Sequence, residues 1–483
     1  MTPEEVMAAT QSAGVEAQHE VPPLTQPLTF EAAIARALKY NLSQRALRVE
    51  QAVAAGVWEA GKYDLLPRLT AGGAYQWRDS YLTSRSRDSV TGRPSLANPF
   101  ISSDREVVTS NLGISWSALD FSVGYYLSRQ NADRALIVAE HRRRAMHALT
   151  REVALAFWRM ASAQRLREEV KAAIQLAREA LEDYAAVEEA AVRAPEDALR
   201  AQRQLLENLR LLSNIERDFG VARVTLANLI NVPLGSSFSV VEPDREASTA
   251  ILDLPIDELE RAALVRNGEL REQLYKERIA RDEVKKTIAR LIPGLNFEYH
   301  LRNSSDSFLV HDLWQDAGAV IAQNLTALAS APAQRRLSQA AVSLEHERFI
   351  ALQMALLAQL HIARLEIEVS YEQLQLATRI SALDDELRRH SQNRVEANTA
   401  GKLSQVSAST EFIVSRLRRY QALADFHAAS SSLQAVLGLE IEVAEIDSLD
   451  LPDLIAQLDT WQSTWTAGRF GNTVPAASPA AVP

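Results

Sequence analysis

The sequence predicts a mainly α-helical chain with a small β part, built as a tall barrel of long antiparallel helices. Three observations predict it. Glycine and proline number only 17 each in 483 residues and are missing from long stretches. The chain repeats itself after roughly 200–230 residues. Four segments switch from helical to period-two patterning.

Residues 125–219 hold no glycine and one proline, Pro195, and between Pro332 and Pro452 the only breakers are Gly401 and Gly438. Ala, Leu, Arg, Glu and Gln fill these stretches, and all are good helix formers. Residues 125–192 as one helix would run on the order of 100 Å. A size-based prior of about three domains is set aside by the repeat. Asn41 to Pro67 aligns without a gap to Asn267 to Pro293, and Ala227–Asn231 precedes Gln434–Gly438 in the same way. Two copies follow, 28–240 and 241–445, flanked by an N-terminal segment 1–27 and a C-terminal segment 446–483.

In chain order, the start MTPEEVMAAT is acidic and shows no apolar signal-peptide region. A helix over 29–63 is expected to end at Pro67. Leu69, Ala71, Gly73, Tyr75 and Trp77 then alternate with polar or small residues, which is a strand signal. Val108, Leu112, Ile114 and Trp116 do the same across a polar loop, 80–106. A very long helix over 123–192 and a helix over 197–231 complete the first copy. The second copy repeats this order: helix 257–291, a strand with Leu295, Phe297, Tyr299 and Leu301, a tip at 303–316, a weaker strand at Ala317–Ala327, then helices over 333–398 and 403–437. The hairpins are thus 67–117 and 294–327. The tail Gly471–Pro483 is Ala/Pro/Ser-rich and is expected to be disordered.

Each strand is about ten residues, enough to cross a bilayer when tilted. Leu69, Tyr75, Trp77, Leu112, Ile114, Trp116, Phe297 and Tyr299 form the face expected to meet lipid. Four strands cannot close a membrane barrel, whereas three chains would supply twelve. The same hairpins packed on helices in a soluble protein are the other reading. The most apolar uncharged helical stretch, Phe349–Ala363, is too short for a spanning helix, so none is expected.

Few constellations suggest chemistry. The absence of cysteine excludes disulfides, thiolate metal sites and cysteine nucleophiles. The net charge of −10 argues against nucleic-acid binding. Gly56–Lys62 fits GxxxxGK, but Tyr63 follows and the match lies in a helix, which does not suit a phosphate loop. No HExxH motif occurs, and no cofactor or metal is expected. Glu140-His141-Arg142-Arg143-Arg144 reads first as a solvated helix face and second as a lumen-facing charge. His300 falls on the polar strand face. No catalytic set stands out, so no enzyme activity is expected.

The order of these elements resembles the TolC-type outer-membrane efflux (outer membrane factor) family across about residues 28–445. Leu28-Thr29-Phe30-Glu31-Ala32-Ala33 is similar to its opening pattern, Leu65-Leu66-Pro67-Arg68-Leu69 to its helix-to-strand LLPxL, Asp197–Leu206 to its D-V-L-x-A-x-x-x-L signature, and Leu229–Pro233 to its LLGLP. The resemblance implies a homotrimer with a twelve-stranded outer-membrane barrel, four strands per chain, continuing into a periplasmic α-barrel. It implies a periplasmic adaptor (membrane fusion) protein and an inner-membrane transporter as partners in efflux or type I secretion. It places the adaptor-docking tip at Ala191, Pro195, Asp197, Asn398 and Gly401, and an equatorial collar at 232–256 and 439–465 with the N-terminal segment. The sequence departs from the family at this tip. Ala191 replaces a usual glycine; in the second copy the matching position is Asn398 or Gly401, so Ser404 and Ser407, or Ser407 and Thr410, stand where some members carry constricting aspartates. An uncharged tip ring is therefore expected. A soluble helical coiled-coil scaffold is the alternative, favoured by the missing leader and opposed by the aromatic strands.

Overall fold

The computed structural model describes residues 2–19, 21–94, 99–189, 195–242, 247–323, 325–397, 401–439, 446 and 448–469. The chain is mostly helical with a small sheet part. Helix α1 (Pro3–Gln18) begins in a capping box, in which Thr2 and Glu5 satisfy each other's backbone N–H, and it buries none of its residues.

Where one helix is expected over 29–63, the structure has two, α2 (Phe30–Tyr40) and α3 (Leu42–Tyr63). Asn41 makes the joint. Its backbone leaves the helical region (φ −59°, ψ 129°), and its Oδ1 accepts from the N–H groups of Ser43 and Gln44 at 3.0 and 3.3 Å. Its Nδ2 donates to the Leu229 carbonyl at 3.0 Å, at the end of α5 (Pro195–Leu229). The predicted helix 257–291 divides in the same way, into α6 (Ile256–Arg266) and α7 (Gly268–Ala289). Asn267 Oδ1 accepts from Glu269 and Leu270 at 2.9 and 3.2 Å. Its Nδ2 donates at 3.1 Å to Val436, in the last turn of α9 (Lys402–Leu437). An Asn amide both caps a new helix and fills an orphan carbonyl of another, so it outcompetes the propensity of its neighbours.

Helices α4 (Ala118–Glu189) and α8 (Leu325–Glu396) hold 72 residues each and begin earlier than the expected 123 and 333. Pro332 lies inside α8 rather than bounding it. So near the start, its missing N–H costs one hydrogen bond of the ladder. The expectation about membrane helices is also corrected. By length and composition alone α8 is apolar enough to cross a membrane, with one 18-residue window at a mean hydropathy of 1.3. The uncharged stretch Phe349–Ala363 is short, but the window extends past it. After the 3₁₀ turn Ala250–Asp253 in mid-chain, the last helix is α10 (Leu451–Thr466).

The chain divides into two compact units. Residues 1–50, 139–271 and 350–483 make the first; 51–138 and 272–349 make the second. Each sequence repeat contributes to both. The first unit has an aromatic centre. Phe30 meets Phe157 edge-on at 5.3 Å, and Trp158 stacks on His427 at 5.1 Å. Each aromatic buried here contributes about 1.5–3 kcal/mol. Gln164 clamps a chain crossing, with Nε2 on the Val240 carbonyl and Oε1 on its N–H, while Leu28 and Val240 form a parallel bridge. Gly438 ends α9 at φ 63°, where a Cβ would stand 2.5 Å from the Arg266 carbonyl oxygen; only glycine fits both limits.

The second unit carries the sheet. Strands β1 (Arg68–Trp77), β4 (Glu106–Ser117), β5 (Gly294–Ser304) and β6 (Leu313–Ala322) pair antiparallel in the order β1-β4-β5-β6, and a small ribbon pairs β2 (Thr83–Ser84) with β3 (Phe100–Ile101). Strand β6 starts four residues before the expected Ala317 and ends at Ala322, so the second turn is tighter than 303–316.

Although one edge of His427 reaches the surface, its ring is enclosed by Phe30, Trp158 and Phe426, and burial pushes its pKa down to about 4 from 6.5. The unfolded chain therefore binds a proton that the folded chain refuses. Stability should be intact above pH 6.5 and fall by about 3 kcal/mol as the pH drops to about 4. His427→Phe, keeping the ring, should flatten the thermal stability–pH curve across that window; an unchanged curve contradicts this assignment.

Candidate functional site

The four-stranded sheet has two chemically distinct faces. Directly paired residues share a face. One row runs Leu69–Ile114–Tyr299–Ala317, the next Trp116–Phe297–Ala319, and others pair Tyr75 with Val108, Leu112 with Leu301 and Trp77 with Glu106. All eight residues expected on one apolar face therefore lie together. Seven of them are exposed in the chain, from 42% for Ile114 to 71% for Leu69. Trp116 is half-buried and stacks on Phe297 at 6.0 Å. The opposite face is polar. Thr70, Gly113, His300 and Asp316 form one row, and Gly72, Asn111, Arg302 and Trp314 another. Arg302 pairs with Asp316 at 3.1 Å. The imidazole of His300 lies against Gly113, where a Cβ would come within 2.3 Å of Nδ1. Among the described residues, strands β1 and β6 have no partner on their outer sides.

Beyond the strands, two loops interlock. Asp306 accepts from the Ser103 hydroxyl at 2.7 Å and from the Asp104 N–H at 3.1 Å, and Asp104 accepts from the Ser307 N–H at 2.6 Å. The Ser103 hydroxyl, with the backbone N–H groups of Asp104 and Phe308, holds the Asp306 carboxyl below its usual range. Sequence reading missed this pair, because its partners lie about 200 residues apart.

The expected tip residues fall in the first unit. Ala191 and Asn398 lie outside the described residues. Pro195 opens α5, and Asp197 is exposed in its first turn, where the helix dipole favours a carboxylate. Gly401 precedes α9 as an N-cap without a side chain. Ser404 is exposed, with its hydroxyl 3.2 Å from that of Ser391, and Ser407 is half-buried. Thr410 is buried and donates to the Val406 carbonyl, so it presents no free hydroxyl. The structure adds a residue the sequence did not mark. Lys402 pairs with Asp183 of α4 at 2.6 Å, above a small core of Ala177, Ala180, Leu205 and Val406.

The Glu140–Arg144 run is corrected. It is not a solvated face, since Glu140 and Arg142 are buried. Glu140 Oε1 meets Arg271 at 3.1 Å, Arg143 stands 3.6 Å from Oε2, and Arg144 pairs with Glu269. Gly268, first in α7, makes room, because a Cβ there would stand 3.1 Å from the Glu140 carboxylate. The second unit holds a comparable set: Asp133 binds Arg278, and Asp282 lies 3.1 Å from Arg129. Buried carboxylates need such partners, since an unpaired one costs several kcal/mol. Among the described residues no cluster of three or more His, Asp or Glu side chains could hold a metal.

No protein-family model matches the chain, and no curated protein matches it in sequence. Solved structures do match in fold. The Campylobacter jejuni CmeC outer membrane channel aligns at a TM-score of 0.66 and 11% identity, covering 91% of this chain and 90% of that one. The outer-membrane channel OprN aligns at 0.65 and 16%, covering 85% and 89%. The Neisseria gonorrhoeae MtrE outer membrane channel, in its open state, aligns at 0.60 and 16%, covering 85% and 88%. The chain therefore has the fold of outer-membrane channels of this class.

Asp306→Ala should release the two loops and speed tryptic cleavage at the already exposed arginines 85, 87 and 93 several-fold, with the sheet intact. Because the Asp306 carboxyl sits below its usual range, the interlock should persist in mild acid and fail only as the pH falls through that lowered value. Equal cleavage of variant and parent would contradict the interlock.

Proposed function

We propose that the chain is an outer-membrane export channel, located in the outer membrane with its helices in the periplasm. One observation carries this: the four-stranded sheet exposes an aromatic, apolar face and, among the described residues, leaves both edges unpaired, within the fold of outer-membrane channels. In hydrocarbon every backbone N–H and C=O must be paired, so an open sheet must close. Three copies, each giving four strands, supply a twelve-stranded barrel with β6 of one chain against β1 of the next. Leu69, Tyr75, Trp77, Leu112, Ile114, Trp116, Phe297 and Tyr299 then face lipid, and His300, Arg302 and Asp316 line the lumen.

The homotrimer has independent support in α8. Ile362, Val369, Leu376 and Leu383 recur every seven residues and are exposed in the single chain, as a coiled-coil seam awaiting a partner helix is. The matched contacts of Asn41 and Asn267 support an internal duplication. The tip near Pro195, Asp197 and Gly401, with Ala191 and Asn398, docks a periplasmic adaptor that links the channel to an inner-membrane transporter, in efflux or type I secretion. Ser404 and Ser407 give a tip ring of hydroxyls rather than carboxylates. Energy comes from the transporter, and the channel carries out no catalysis. The soluble-scaffold reading leaves the apolar sheet face without cover.

Expressed into membranes, the chain should require detergent, run as a trimer and give ion conductance in a planar bilayer. A detergent-free soluble monomer without conductance overturns the proposal.

A further inference from the structure

Between β1 and β4 the chain runs out into an arm whose charge differs from that of the rest. Within residues 80–103 stand three arginines, Arg85, Arg87 and Arg93, and one acid, Asp88, in a chain whose net charge is −10. We propose that this arm binds the phosphate groups of a glycolipid in the outer leaflet of the outer membrane. The proposal rests on the export-channel reading and adds a lipid partner to it.

The connections fix where the arm lies. Strand β1 follows α3 and β5 follows α7, while β4 leads into α4 and β6 into α8. All four helices therefore join one end of the sheet, and the arm joins the other, after Trp77 and before Glu106. With the helices in the periplasm, that end is the outer one. Tyr75 and Trp77 stand last on the apolar face of β1, and such aromatics mark the headgroup level of a bilayer.

The arm holds its shape by its own hydrogen bonds. Thr83 and Ser84 pair with Ile101 and Phe100, and Arg87 bridges to Pro94. Asp88 closes the turn: its Oδ1 accepts from the N–H groups of Val90 and Thr91 at 2.8 and 2.9 Å, and Gly92 completes it at φ 65°. The one carboxylate is thus committed to backbone. Arg85, Arg87 and Arg93 are exposed and have no ion pair among the described residues. Tyr81, Leu82, Val90, Phe100 and Ile101 are exposed beside them. A two-stranded ribbon is marginal in water even without such a load of open apolar surface. A layer of acyl chains capped by phosphates satisfies both sets of side chains. Hydrocarbon takes the apolar ones, and guanidinium forks match phosphate oxygens. Three cations on one short arm suit a headgroup with two phosphates on a rigid sugar better than a lipid with one.

The test is binding of diphosphoryl lipid A to the purified full-length protein in neutral detergent, read by native mass spectrometry. Dephosphorylated lipid A and phosphatidylglycerol are the comparators, and bilayer conductance is recorded on the same samples. Saturable binding is expected, about ten-fold tighter than to either comparator and weakening several-fold as salt is raised. Each of Arg85→Gln, Arg87→Gln and Arg93→Gln should weaken it about five-fold. The triple variant should bind diphosphoryl lipid A no better than the dephosphorylated form, with conductance unchanged. Phe100→Ser should weaken all three lipids alike. Equal binding of phosphorylated and dephosphorylated lipid A, or equal binding by parent and triple variant, overturns the proposal while a conducting parent keeps the export reading. Tighter binding of phosphatidylglycerol, or full displacement of lipid A by inorganic phosphate, overturns it equally. A parent that neither conducts nor assembles overturns the export reading and this proposal with it.

Discussion

A β-sheet with an apolar face and two open edges is not finished by its own chain. Strands β1 and β6 have edges with no partner strand among the described residues. Beside them lies a face of Leu69, Tyr75, Trp77, Ile114, Phe297 and Tyr299. Water would satisfy the edges but not the face; lipid would accept the face but not the edges. On the proposed reading, closure into a barrel within a bilayer satisfies both, with further copies supplying the remaining strands. The exposed seven-residue seam of α8 answers the same demand among the helices.

The helical part depends on joints made by single side chains. Asn41 and Asn267 each begin one helix while filling the last carbonyls of another. Gly438 gives α9 its left-handed end beneath the Arg266 carbonyl. Buried ion pairs replace apolar packing between α4 and α7, with Glu140 on Arg271 in one unit and Asp133 on Arg278 in the other. Such pairs contribute little net stability against an apolar alternative, but each fixes one partner geometry. In helices this long and this regular, register is the property most in need of fixing.

What the sequence made legible was local. Period-two alternation located three of four strands, because each strand shows its pattern without reference to any other residue. Strand β6 began earlier than read because Trp314 lies on the polar face beside Arg302, which blurs the alternation. The breaks at Asn41 and Asn267 were hidden, since strong helix formers flank them and their partners, Leu229 and Val436, lie 188 and 169 residues away. The Glu140–Arg144 run looked solvated for the same reason: Arg271 and Glu269 cannot be seen from residue 140. Of the tip, Pro195, Asp197 and Gly401 fell at helix starts as the breakers indicated, whereas the burial of Thr410 came only with the packing of α9.

The chain contains no cysteine, so single cysteines can be placed on the sheet without background. The most direct measurement is labelling by a membrane-impermeant, water-soluble maleimide, in outer-membrane vesicles, of cysteines at 75, 114 and 297 on one face and at 70, 111 and 298 on the other. A lipid-facing apolar surface and a water-filled lumen predict fast labelling at 70, 111 and 298, and labelling at 75, 114 and 297 only after detergent is added. Equal labelling of both faces in intact vesicles would contradict a barrel and return the sheet to water.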